Sequence, residues 1–222
     1  MSRPHDTVSV EGPDAETYLQ GQVSQDVAGL DVGGAAWTFV LAPNGHIDAF
    51  ASVVRDSVER FSFLIDPGYG AALEGRFRRF LLRTKAEITL REAADLTVLA
   101  DTEAARIESG VLSMANEIDE RTVPAETGWV GRAVSFTKGC YTGQELVARM
   151  DSRVAEPPRR LVRLEVSGAR RGDLIVVAGA EAGAVTSAVG GVALGYLKRG
   201  TALDDAAEVG GAPATILGLV GA

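Results

Sequence analysis

The sequence predicts an α+β fold with a mostly antiparallel sheet and helices, followed by a small C-terminal β-barrel. Three observations carry this. Asn44-Gly45, the strongest short hairpin signal, separates two apolar runs at the start of a strand meander. A helix with an apolar stripe, Leu73, Phe77, Phe80 and Leu81, follows the meander directly. After Pro157-Pro158 come short β-type runs divided by glycine-rich turns, the pattern of a small barrel or sandwich.

In order, Thr7–Val10 is a first strand. Gly12-Pro13-Asp14 opens a helix whose apolar positions are Ala15, Tyr18, Leu19 and Val23, ending near Gly29. Trp37–Leu41 and Ile47–Val54 form the hairpin, with Ile47, Ala49, Ala51 and Val53 on one face and Asp48, Phe50 and Ser52 on the other. Arg60–Ile65 is the third strand of the meander. The helix after it carries Arg76, Arg79 and Arg83 at helical spacing, read either as a solvated basic face or as an anion-docking patch. Ala86–Leu90 and Leu96–Ala100 are further strands, and Asp101 or Thr102 caps a short helix bearing Arg106 and Glu108. Pro124–Val134 is a loop and Arg149–Pro158 a linker. The last strands fall in 161–166, 173–177, 183–193 and 215–220. This predicts two units, 1–152, with a possible subdivision near 100, and 153–222.

Composition bounds the function. The chain has 222 residues and a net charge of −8, which argues against a protein devoted to nucleic-acid binding. No run approaches the length of a membrane span, and residues 1–10 lack a signal pattern, so a cytoplasmic protein is expected. A single cysteine fits a reducing compartment and excludes both a disulfide framework and a self-contained iron–sulfur site. His5 and His46 form no metal-spacing motif, so no metal site is expected.

That cysteine lies in Lys138-Gly139-Cys140-Tyr141-Thr142-Gly143-Gln144-Glu145, ahead of a helix with Leu146, Val147 and Met150 on one face. A thiol near a lysine and a helix N-terminus is in a setting that favours thiolate; the alternative is a small hydrophobe in a tight loop. The stretch K-G-C-Y-x-G-Q-E resembles the signature of the YgfZ family, folate-binding relatives of the glycine-cleavage T-protein that support iron–sulfur proteins. Three more segments resemble the same superfamily, in the same order. Tyr18–Val27 is similar to F-L-x-G-x-x-T-x-D-V. Arg106-Ile107-Glu108-Ser109-Gly110 with Asn116–Glu120 is similar to R-L-E-A-G … E-(M/I)-D-E. Gly183–Ser187 is similar to G-x-(V/I)-T-S. Ala115 stands where the superfamily usually has glycine, and the chain looks compact between Ile65 and Arg106.

The resemblance implies a GcvT/YgfZ-like fold and tetrahydrofolate, or a folate derivative, as cofactor. Glu108 would read the pterin ring, with Arg106, Asp48, Tyr141, Gln144 and Glu145 also at the ligand and Cys140 and Lys138 as the reactive pair. It implies iron–sulfur client proteins as partners, tRNA-modifying enzymes among them. Aminomethyltransferases carry adjacent aspartates where this chain has Asp48-Ala49, which argues against glycine-cleavage activity. Two other readings stay open: a folate-dependent one-carbon transferase using Asp48, and a non-catalytic adaptor docking through Arg76, Arg79 and Arg83.

Overall fold

A computed structural model describes residues 4–93, 100–152 and 156–221. Strands β1 (Asp6–Glu11), β2 (Ala35–Leu41), β3 (Ile47–Arg55), β4 (Arg60–Ile65) and β5 (Glu87–Arg91) form an antiparallel sheet in the order β2-β3-β4-β1-β5. Helices α1 (Ala15–Gln20) and α2 (Gly70–Arg79) cover one face through Leu19, Leu73 and Phe77, and Phe63 meets Phe77 edge-on at 5.0 Å between ring centroids. Period-two alternation sends Phe50, Ser52 and Leu64 to the other face. There they lie near Trp129 and α3 (Ala100–Ser109).

Two one-turn helices, α4 (Pro124–Thr127) and α5 (Val130–Ala133), precede α6 (Gln144–Ser152). Strands β6 (Arg159–Glu165), β7 (Leu174–Val177), β8 (Ala180–Val189), β9 (Val192–Lys198), β10 (Ala207–Val209) and β11 (Ala212–Leu219) close into a six-stranded barrel in the order β10-β11-β6-β9-β8-β7. Val162, Leu164, Ile175 and Leu197 fill its interior. Outward-facing Leu161, Leu194 and Tyr196 join Val220 in the core of the sheet.

Several expectations are corrected. The first helix stops at Gln20 because Val23 leaves it to bridge Val40, and the Ser24 amide donates to the Phe39 carbonyl at 2.9 Å. This segment pairs with the sheet edge, a use of backbone that side-chain periodicity does not report. The region 124–134 is two helical turns rather than a loop, with Pro124 at the first position of α4. Residues 149–152 are the last turn of α6, not linker. The run 183–193 is two strands turned by Gly190-Gly191. The expected strand Leu96–Ala100 lies outside the described residues except for Ala100, which is helical, so Asp101 and Thr102 sit within α3 instead of capping it.

The arginine stripe also dissolves. Arg76 is buried, α2 ends at Arg79, and Arg83 lies beyond the helix in a left-handed conformation (φ 58°). Arg78, exposed, is committed to Glu74 and the Ile88 carbonyl.

Candidate functional site

Two of the separated sequence segments, 106–120 and 183–187, converge on one buried cluster. Arg106 and Glu117 are paired at 2.9 Å with side chains 1% and 0% exposed. All five N–H groups of the Arg106 guanidinium have protein acceptors. Nε and Nη2 donate to Glu103, Nη1 to Glu117 and the Val111 carbonyl, and Nη2 also to Ser187. Glu117 in turn accepts from the Ser113 amide (2.9 Å), Thr186 (2.7 Å) and Ser187 (2.6 Å). Its backbone carbonyl accepts from Tyr196 at 2.9 Å. Burial works against the Arg106 charge, but hydrogen bonds and attraction from Glu103 and Glu117 outweigh it and hold its pKa above the ordinary value. Burial pushes the Tyr196 phenol well up, so it remains a donor.

Gly110, closing the same segment, turns the chain at φ +68° after α3. A Cβ there would stand 2.9 Å from a methyl of Val220, so glycine is required by both conformation and space.

The cluster fixes α3 across the open face of the sheet. Between them lies a cavity of about 420 Å³. Its walls include Trp37, Phe50, Ser52, Leu64 and Asp66 from the sheet side and Ala105, Arg106 and Ser109 from α3. Trp37 and Phe50 stack at 4.7 Å with 5° between planes, and Trp129 closes edge-on against both. Asp66 accepts from Ser113 at 2.8 Å and from the Met114 amide at 2.9 Å, which ties the loop after α3 to the end of β4. A volume in this range, mostly apolar walls and a few fixed polar groups are the attributes of a small-molecule site.

The expected site residues do not all meet here. Arg106 borders the cavity, but its N–H groups are all committed to the protein, so it positions α3 and offers no N–H to a ligand. Glu108 is exposed on α3 and is not in the cavity wall; its carbonyl accepts from Arg163. Asp48 borders a different groove, beside α2, and pairs with Arg76 at 3.2 Å.

Lys138, Cys140, Tyr141, Gln144 and Glu145 form a third location. Lys138 donates to the carbonyls of Val23 (2.9 Å) and Gln25 (2.7 Å), and its ammonium lies 5.4 Å from the Tyr141 ring centre. The Thr142 amide donates to Gly21, and Gln144 Oε1 accepts from the Tyr141 amide. Gly143 (φ +80°) packs so closely that a Cβ would meet the Ala42 carbonyl at 2.5 Å. The eight-residue motif thus grips both the segment after α1 and the tip of the β2–β3 hairpin. Cys140 projects from this clamp, exposed, and Glu145 pairs with Arg149 in solvent. Burial lowers the Lys138 pKa to about 8, with Asp26 pulling the other way, and pushes Tyr141 up to about 12.

Reasoning from sequence missed Trp37, Phe50 and Asp66 as cavity residues and Glu117 and Ser187 as the anchor. The alternation of β3 put Phe50 and Ser52 on one face; what it lacked was the helix that faces them. Among the described residues no group of three His, Cys, Asp or Glu could hold a metal ion, and no helix is long and apolar enough to cross a membrane.

No family model matches the chain. An uncharacterized protein of Haemophilus influenzae is 25% identical over 186 aligned positions, covering 67% of this chain and 66% of that protein. Aminomethyltransferases of Rubrobacter xylanophilus and a Nostoc species are 29% and 27% identical over 81% and 85% of this chain. The chain spans only 45% and 46% of their lengths. The crystal structure of the glycine cleavage system aminomethyltransferase T from Bartonella henselae superposes with a TM-score of 0.78 at 17% identity, covering 99% of this chain and 87% of that one. This protein therefore has the aminomethyltransferase T fold.

Two predictions follow from this geometry. Glu117→Ala leaves a buried guanidinium with Glu103 as its only carboxylate and should cost about 3 kcal/mol, at the low end for a broken buried pair, in equilibrium urea denaturation; an unchanged midpoint would contradict the cluster's role. For Lys138, the folded state releases its proton near pH 8 and the unfolded chain near 10.5. Between those values the unfolded chain binds more protons, so stability rises with pH. Wild type should gain stability relative to Lys138→Met from pH 8 to 10; a constant difference would show that the amine is not desolvated.

Proposed function

We propose that this protein binds a reduced folate, with the pterin in the cavity between the sheet and α3, and that it serves the maintenance of iron–sulfur client proteins. The observation that carries the folate reading is the cavity itself: an apolar lining that includes the stacked Trp37–Phe50 pair beside fixed polar groups, closed by the helix of the R-x-E-x-G segment. The residues present fit a flat heteroaromatic ring that needs stacking and in-plane hydrogen bonds. Asp66, Ser52 and Ser109 supply polar atoms around the wall. The relatives named aminomethyltransferase support the same ligand class.

The iron–sulfur role rests on the resemblance of the Lys138–Glu145 stretch to the YgfZ signature, together with the exposure of Cys140. In this reading the motif is a clamp that presents the thiol to a partner, and 1–152 and 153–222 act as folate module and barrel. A one-carbon transferase remains the second reading, favoured by the names of two relatives. Against it, Asp48 is bound to Arg76 and its neighbour is Ala49.

Anaerobic calorimetric titration with tetrahydrofolate tests the binding site. Ala105→Trp, which fills the cavity from an exposed helix position, should weaken binding at least tenfold, about 1.4 kcal/mol, while Glu108→Ala should stay within twofold. Equal affinity in Ala105→Trp, or loss in Glu108→Ala, would contradict this placement of the pterin. In a deletion strain, Cys140→Ser should fail to restore iron–sulfur enzyme activity although it binds folate normally; full restoration would remove the thiol from the function.

A further inference from the structure

The groove beside α2 is separate from the cavity under α3 and has its own chemistry. It holds about 460 Å³ between the start of β3 and the helix. Small residues, Ala71, Ala72 and Gly75, line its helix side, and a Cβ at Gly75 would meet nothing within 4 Å. Two guanidinia, of Arg76 and Arg79, border it together with the carboxylate of Asp48.

Arg76 is held rigidly. Nε donates to Asp48 (3.2 Å), Nη1 to Gln22 (3.1 Å) and Nη2 to the Leu41 carbonyl (3.1 Å), and its Cζ lies 4.1 Å from the Phe80 ring centre. These contacts use three of its five N–H groups, which leaves one on each terminal nitrogen. The side chain is 8% exposed, so a cation is kept largely out of water with part of its donor capacity unmet. Arg79, three residues on along α2, is exposed and makes no hydrogen bond or ion pair with the described residues.

We propose that this groove binds a carboxylate-bearing ligand, clamped between the preset Arg76 and the free Arg79. Two cations facing one anion leave a single net positive charge, which matches a monoanion. A dianionic phosphate would exceed that single positive charge and leave the groove net negative. Guanidinium forks suit the planar carboxylate geometry. The carboxylate belongs either to a small organic acid or to the C-terminus of a peptide, and the groove's volume and small lining residues admit both. This site does not depend on folate binding under α3.

Titration followed by NMR uses N-acetylglycine, a tetra-alanine peptide with a free C-terminus, its amidated counterpart and inorganic phosphate as probes. At least one of the two free acids should bind saturably, with Kd at or below about 1 mM. The tighter of the two identifies the source of the carboxylate. Arg79→Ala should weaken that binding at least tenfold without lowering the melting temperature, and Arg78→Ala, on the neighbouring face, should not. Asp48→Asn, which removes the competing charge, should tighten it. The proposal is overturned if neither acid saturates, if the amide binds as well as the acid, if phosphate binds more tightly, if Arg79→Ala binds like wild type, or if Asp48→Asn weakens binding.

Discussion

Arg106 and Glu117 meet out of contact with solvent, and three otherwise separate parts of the chain are fixed by what they bond. The helix α3 brings Arg106, the loop after it brings Glu117 and Ser113, and the barrel brings Thr186, Ser187 and Tyr196. Burying two charges is costly, and the attraction between them offsets that cost only when the remaining donors and acceptors are also satisfied. Here they are: five donors on the guanidinium have five acceptors, and both carboxylate oxygens are bonded. The arrangement has one geometry in which every group is paired, so it specifies where α3 sits over the sheet. The cavity exists because α3 is held there.

Much of the fold was legible from sequence, for reasons visible in particular residues. Asn44-Gly45 marked a real hairpin, and Leu73 and Phe77 gave the core face of α2. Short β-runs after Pro158 became the barrel. What stayed hidden depended on tertiary pairing. Val23 and Ser24 abandon a helical pattern because an open sheet edge offers backbone partners. Arg76 reads as part of a basic stripe, yet Asp48, Gln22 and the Leu41 carbonyl, up to 54 positions away, draw it inward. Where the resemblance segments place their side chains also depended on tertiary pairing. Arg106 is an anchor, Glu108 faces solvent, and Glu117 is the buried partner.

The cysteine motif shows the same division between place and role. Its glycine at 143 is required by the close approach of the hairpin tip, and its lysine secures the segment after α1 through two carbonyls. Most of the motif is thus architecture, and the exposed thiol is the part that architecture does not explain. Lys138, directed at Val23 and Gln25, is arranged as a tether; an amine whose pKa falls to about 8 is also a weaker source of positive charge for any neighbouring thiolate above that pH.

The account's central claim is that α3, pinned by the Arg106–Glu117 cluster, closes a folate cavity on the sheet. The most direct measurement is a crystal structure of the protein grown anaerobically with tetrahydrofolate. The account predicts pterin density against the Trp37–Phe50 wall, beneath Ala105 and Ser109, with the buried cluster unchanged. Pterin density at Glu108, in the groove at Asp48 or beside Cys140 would contradict it.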